Sequence, residues 1–206
     1  KQHGFFVKKT LQDLKIKAKI ILEPEGRNTT AAIFMATKFC EPNDNVIIMP
    51  TDHYIPEKEI FISDIKKIVK HANFENWITL GIKPTRPSTS YGYIRVEEGN
   101  KKYLNNVIKF IEKPSLKIAE KLFLQKDCFW NSGIFLGKAS KILESIDKHS
   151  NDVAKTSEKA FMNMSISKKE NEFGFPHGLF SKIRSVPIDI SVMEKESEIK
   201  LYPLNC

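Results

Sequence analysis

Ile20-Ile21-Leu22-Glu23-Pro24-Glu25-Gly26-Arg27-Asn28-Thr29-Thr30-Ala31-Ala32-Ile33-Phe34-Met35-Ala36, and after it Val46-Ile47-Ile48-Met49-Pro50-Thr51-Asp52-His53, decide how this chain is built. Ile20-Ile21-Leu22 is a short apolar strand that Pro24 and Gly26 cannot continue. A helix starts near Asn28 or Thr29 and runs to about Phe39. Val46 to Met49 is an unbroken apolar run closed by Pro50, the pattern of a strand buried on both faces. Strand, helix and strand in that order predict an α/β fold with a mostly parallel sheet covered by helices.

The alternation continues downstream. Phe61, Ile65, Ile68, Val69 and Ala72 fall on one helical face. Trp77 to Ile82 is a third strand, followed by a Pro- and Ser-rich loop from Lys83 to Ser90. Tyr93 to Val96 and Val107 to Ile111 read as strands around the turn Glu98-Gly99-Asn100. Ser115 is predicted to cap a helix carrying Leu116, Ala119, Leu122 and Phe123. Phe129 to Leu136 reads as a strand and Ile142 to Ile146 as part of a helix. Residues 150–180 read as a helix plus a mobile loop.

Composition narrows the function classes. The chain has 206 residues, 41% hydrophobic and 28% charged, which suits one soluble domain. No apolar run approaches the ~20 residues of a membrane span, and the N-terminus has no basic-then-apolar signal layout. No membrane partner and a cytoplasmic location are expected. Cys40, Cys128 and Cys206 are odd in number and lack C-x-x-C spacing, against a disulfide framework or a thiolate zinc site. The net charge of +8 raises nucleic acid as a partner, but only four of the 33 basic residues are arginine. Dispersed lysine reads as a solvated surface, so no nucleic acid is expected, while a polyanionic small substrate remains compatible.

In open sheets of this kind ligands sit at the carboxyl ends of the strands. After the first strand, Gly26 allows close backbone approach, and Arg27 and Asn28 can hydrogen-bond a base or phosphate; an ordinary polar turn reads equally well. Asp52 stands at the tip of the second strand, where a carboxylate suits Mg²⁺ or simply forms a turn. Gly92, in Tyr91-Gly92-Tyr93, offers close approach or starts a strand. In Phe110-Ile111-Glu112-Lys113-Pro114, Glu112 can accept from sugar hydroxyls and Lys113 can neutralise a phosphate; the alternative is a solvated ion pair. Asn131 places an amide within an apolar strand, where it needs partners. Asp189 precedes a short helix, as a ligand or as its N-cap.

The joint order of these segments is more informative than any one of them. L-E-P-x-G-R-N-T, P-T-D-H, Y-G-Y-I, F-I-E-K-P, W-N-S-G-I-F and I-D-I-S-V-M-E-K together resemble the mannose-1-phosphate guanylyltransferases. The likeness runs from about Ile20 to Lys195 and is nearest to the bacterial type whose longer members also carry a phosphomannose isomerase domain. It implies a nucleotide-diphospho-sugar transferase fold, an α/β/α sandwich with a Rossmann-like, mixed, mostly parallel sheet. The implied substrates are GTP and mannose 1-phosphate, and the products GDP-mannose and pyrophosphate. Asp52 and Asp189 resemble the pair that holds Mg²⁺, and with Lys113 they are the implied catalytic residues. Gly92, Glu112, Lys113 and Asn131 resemble the sugar-phosphate site. Glu23, Gly26, Arg27 and Asn28, with Asp52, resemble the nucleotide wall.

Departures from the family pattern carry their own expectations. The glycine-rich loop G-G-x-G-x-R-L-W-P and the P-K-Q-F that follows it are expected upstream of residue 1, and W-x-D-V-G-S-W beyond residue 206. Residues 1–206 are therefore expected to be a partial nucleotidyltransferase domain with little activity alone. Ser88 and Ser90 stand where Glu and Gly are more usual. A non-catalytic sugar-nucleotide-binding regulator, or a same-fold transferase with another base or sugar, are the competing readings. A homodimer stays open.

Overall fold

A computed structural model describes residues 4–72, 74–97, 103–167 and 171–205. In chain order the elements are α1 (Gly4–Asp13), β1 (Ile20–Leu22), α2 (Asn28–Thr37), β2 (Asn45–Ile48), α3 (Lys58–His71), β3 (Trp77–Ile82), β4 (Tyr93–Val96) and β5 (Asn105–Ile111). They continue with α4 (Leu116–Phe123), β6 (Cys128–Lys138), α5 (Ala139–His149), α6 (Asn151–Met162), β7 (Ser165–Ser167), β8 (Glu172–Gly174), α7 (His177–Phe180), a five-residue π-helix (Asp189–Met193) and β9 (Ile199–Pro203). They divide into two compact units, Lys1–Cys40 with Leu143–Ile188, and Glu41–Ile142 with Asp189–Cys206.

The first unit holds a three-stranded sheet in the order β1-β8-β7, with β1 and β8 parallel. Its core joins Ala31 and Met35 of α2 to Val153 and Ala160 of α6, closed by Phe175, Phe180 and Ile183. Two threonines at the start of α2 fasten it. Thr30 Oγ1 donates to the Val186 carbonyl at 2.7 Å, and Thr29 Oγ1 accepts from the Ile188 N–H at 2.8 Å. The described part of residues 150–180 holds more than a helix and a loop, because β7 and β8 pair antiparallel there.

The second unit holds a six-stranded sheet in the order β2-β6-β3-β9-β5-β4. β4 also pairs with the front of β6, so the pairings close a circuit through β6, β3, β9, β5 and β4. The α/β class stands, but the strand directions correct the sequence reading: within this sheet only β3 and β9 run parallel. The reason is local. β2 and β3 do point the same way, as a crossover through α3 requires, but β6 lies between them and runs against both. A second correction concerns β2, which is an edge strand with alternate residues open to solvent rather than buried on both faces; Ile47 is 40% exposed.

The β3 and β6 side chains alternate between two faces. Ile78, Leu80, Ile134 and Leu136 pack with Ile68, and Phe61, Ile65 and Ala72 of the same helical segment lie against them. Val69, expected on that face, is exposed instead, since it lies one residue and ~100° around the helix from Ile68. On the other face Trp77 meets Phe135 edge-on, and Ile142 of α5 lies beside Gly137. Ala119 and Leu122 of α4 pack on Tyr93, Cys128 and Trp130. Ser115 does occupy the N-cap position of α4, but its side chain makes no capping hydrogen bond. Cys128 is buried and its thiol is pushed up to about 11 by burial, so it serves packing. Glu98-Gly99-Asn100 and Cys206 lie outside the described residues.

A carboxylate sits inside this apolar core. Asp64 of α3 is fully buried and accepts from Lys67 Nζ and the Tyr202 hydroxyl, each at 2.9 Å, and from the main chain and side chain of Asn205 at 3.3 Å. Burial alone raises its pKa, but these donors outweigh burial and hold the carboxyl below its ordinary value. A depressed carboxyl contributes stability above its unfolded pKa and loses it as pH falls through the folded one. Asp64→Ala is therefore expected to cost about 2–3 kcal/mol at neutral pH. The deficit should narrow in acid, read as urea midpoints across a pH series.

Candidate active site

The site is organised by an irregularity in β6. Between Thr79 and Gly81 the register of β3 advances two residues while β6 advances four, from Phe135 to Asn131. The extra length is absorbed at Gly133, whose φ of +71° is open to glycine at little cost. The bulge aims the Asn131 amide. Its Oδ1 accepts from the Gly133 N–H at 3.0 Å and from Thr79 Oγ1 at 3.4 Å. Its Nδ2 is thereby directed at Asp189 Oδ1, 2.7 Å away. Asp189 opens the π-helix and is half-buried there.

Gly92, just before β4, closes the same place. Its carbonyl accepts from the Asn131 N–H at 2.8 Å. A Cβ at Gly92 would lie 2.5 Å from Glu112 Oε2 and 3.3 Å from Asn131 Cβ. That Glu112 oxygen is buried with no hydrogen-bond partner among the described residues, a costly state for an ionised group. Burial, then the nearby Asp189 charge, push Glu112 up from the ordinary carboxylate range; burial does the same to Asp189. Lys113 follows with its ammonium 3.5 Å from Glu112 Oε1 and its side chain 64% exposed, so the charge is accessible.

Asp52 is exposed and lines a cavity of about 380 Å³ whose wall includes Asn131, Tyr91 and Trp130. The rings of Tyr91 and Trp130 stand 4.9 Å apart. Asp189 is not in that wall, so Asn131 is the residue common to the cavity and the carboxylate. Among the described residues no three His, Cys, Asp or Glu side chains gather as a metal site. Burial opposes ionisation of Asp189, and a hard cation would relieve such a carboxylate.

The remaining predicted residues stand in the first unit. Glu23 and Gly26 line an open cavity of about 920 Å³ together with Val7, Leu11 and Ala32. Burial pushes the Glu23 carboxyl up. Arg27 donates to Glu25 Oε1 at 2.8 Å and to the Ser181 carbonyl, bracing its own loop. Asn28 begins α2 with φ +64°, and its Oδ1 accepts from the Thr29 N–H. Gly92, Glu112, Lys113, Asn131 and Asp189 therefore gather in the second unit, and Glu23, Gly26, Arg27 and Asn28 belong to the first.

Thr79 and Glu194 were missed from sequence. Thr79 is a fully buried hydroxyl in the apolar run Trp77-Ile78-Thr79-Leu80, which was a signal in itself. Glu194 Oε1 accepts from the Glu112 N–H at 2.9 Å. Its position in V-M-E-K carried no sign of that partner.

Two consequences are measurable. A carboxyl with a raised folded pKa lowers stability progressively as pH rises through that pKa. Asp189→Asn should therefore melt higher than the unsubstituted chain near neutral pH, and the gain should vanish below the ordinary carboxylate range. Gly92→Ala should lose about 1–2 kcal/mol, because the buried Glu112 carboxylate must move; a urea titration measures it.

Residues 1–173 match the family model described as nucleotidyl transferase. A mannose-1-phosphate guanylyltransferase of Escherichia coli is 32% identical over 95% of this chain. The xanthan biosynthesis protein XanB of Xanthomonas campestris pv. campestris is 34% identical over 99% of it. Each match covers 44% of the relative, so the chain spans less than half the length of these curated proteins. The crystal structure described as mannose-6-phosphate isomerase from Helicobacter pylori is alike at a TM-score of 0.92 and 27% identity, over 100% of this chain and 81% of that one. An inositol-1-phosphate CTP transferase of T. maritima shares the fold at a TM-score of 0.56 and 13% identity, over 98% and 62%. The α/β fold is that of the nucleotide-diphospho-sugar transferases. The chain belongs to the nucleotidyl transferase family.

Proposed function

We propose that this chain carries the sugar-phosphate side of an enzyme that makes GDP-mannose and pyrophosphate from mannose 1-phosphate and GTP. The observation that carries the reading is the run of contacts from Glu112, whose buried Oε2 has no hydrogen-bond partner among the described residues, past Gly92 to Asn131 and on to Asp189. A sugar hydroxyl is the donor that oxygen lacks. The names of the curated relatives, a guanylyltransferase and a polysaccharide biosynthesis protein, support mannose 1-phosphate as the sugar phosphate.

An oxygen of the sugar phosphate attacks the α-phosphorus of GTP in line, the bond to the bridging oxygen breaks, and pyrophosphate leaves. Little protein covalent chemistry is needed, so placement and charge neutralisation are the work of the side chains. Lys113 offers an exposed ammonium to the incoming phosphate, beside the carboxylate that holds the sugar. Asn131 fixes Asp189 through its amide, and Glu23, Gly26, Arg27 and Asn28 are assigned to the nucleotide. Family members generally use a divalent metal. We assign Mg²⁺ to Asp52 and Asp189, where it would neutralise charge between nucleotide and incoming phosphate. We infer a cytoplasmic location, where thiols such as those of Cys40 and Cys128 stay reduced.

The test is pyrophosphate release by the whole protein with GTP, mannose 1-phosphate and Mg²⁺, with Lys113→Ala alongside. The substitution should raise KM for mannose 1-phosphate about tenfold or more while the GTP dependence changes far less. Equal effects on both substrates would remove Lys113 from its role. Isomerisation of mannose 6-phosphate without pyrophosphate release would overturn the reading as a whole.

A further inference from the structure

Glu194 spans the two turns of the sugar-phosphate site. Its own N–H donates to the Asp189 carbonyl at 2.9 Å, closing the π-helix, and its carboxylate accepts from the Glu112 N–H at 2.9 Å. We propose that Glu194 is a positioning residue for the sugar phosphate, holding Glu112 and Lys113 in register with the turn that carries Asp189. The inference rests on the reading of this site as a sugar-phosphate site.

The argument starts from the backbone. β5 ends at Ile111, paired with Tyr93, so the Glu112 N–H has left the strand ladder. The next residue, Lys113, has φ +44°, a conformation that a side chain with Cβ holds only when its surroundings fix it. Pro114, buried and limited in φ, restrains the far side. The Glu194 carboxylate restrains the near side through a charge-assisted hydrogen bond.

The other end of the brace is rigid. Ser191, Val192 and Met193, just before Glu194, are buried. Just after it, the buried Glu196 carboxylate accepts from the Ser197 and Glu198 N–H groups and lies against Lys141. Glu194 itself is exposed, so water replaces its hydrogen bond when it is shortened, and global stability should hardly change. What changes is the placement of the Glu112 carboxylate and the Lys113 ammonium. Since a misplacement of about 1 Å can cost about 10²-fold, the smaller shift of one loosened turn should cost about tenfold or less.

Two variants separate reach from charge in the whole protein. Glu194→Gln keeps the acceptor oxygen at the same reach without the charge, whereas Glu194→Asp keeps the charge one methylene short. The expected result is a KM for mannose 1-phosphate raised about five- to tenfold in Glu194→Asp and changed less than about threefold in Glu194→Gln. The KM for GTP should stay within about twofold in both, and melting temperatures should be unchanged. Amide hydrogen exchange at Glu112 gives a readout independent of turnover: protected in the unsubstituted protein and in Glu194→Gln, at least about tenfold faster in Glu194→Asp. Should Glu194→Asp melt early, Glu194→Ser takes its place. Intact KM and exchange in the shortened variant, damage confined to Glu194→Gln, or equal losses for both substrates would each overturn the proposal. If the protein turns over neither substrate, the functional reading fails, and the exchange result alone decides whether the brace exists.

Discussion

The break in β6 is the constraint on which the second unit depends. A regular strand would alternate Asn131 and Gly133 on one face and leave the amide without a reason to face Asp189. The bulge at Gly133 folds that backbone N–H onto Asn131 Oδ1, and an amide with its oxygen occupied can offer only its nitrogen. Asp189 is held by what remains. The same strand pairs with β2, β3 and β4, so the most connected element of the sheet is also the one that orients the site. Precision at Asp189 is inherited from the sheet and not from the short turn on which it lies.

Charge in the site is deliberately out of balance. Glu112, Asp189 and Glu194 lie near one another, and Lys113, largely in solvent, is the cation beside them. Burial opposes ionisation of the first two, and each lies in the field of other carboxylates. An arrangement of this kind is unfavourable when empty and improves when hydroxyl donors and a cation arrive. Asp64 presents the opposite case, with enough donors to keep its carboxyl below the ordinary range despite complete burial. The one carboxylate is stabilised by its donors, and the others are held where burial opposes their charge.

Much of this was legible in the chain. The runs Trp77 to Ile82 and Tyr93 to Val96 became β3 and β4 with the boundaries their apolar residues suggested. The grouping of Gly92, Glu112 and Asn131 was implied by the likeness of their motifs to the family, and a Cβ at Gly92 would meet both Glu112 and Asn131. Strand direction was not legible, because the order of Val46–Met49 and Trp77–Ile82 with a helix between them says that they run alike and says nothing of a later strand inserted between them. β9 was missed since Ile199-Lys200-Leu201-Tyr202-Pro203 is short and ends in proline; its strand character comes from the neighbours β3 and β5. Glu194 was invisible for a similar reason, as its partner is a main-chain N–H that no side-chain pattern reports.

The place of β9 bears on how the protein is born. It lies between β3 and β5 yet follows the whole of residues 143–188, which belong to the other unit. On the ribosome β3 and β5 emerge early and must wait, for several seconds at ordinary synthesis rates, before their shared neighbour leaves the exit tunnel. Until then each presents an open edge to other nascent chains. Pairing across so much sequence is slow to close, and Asp64 can find Tyr202 and Asn205 only once it has closed. Asp189 and Glu194 reach the sheet in that same last segment, so the candidate site and the stable fold mature as one event.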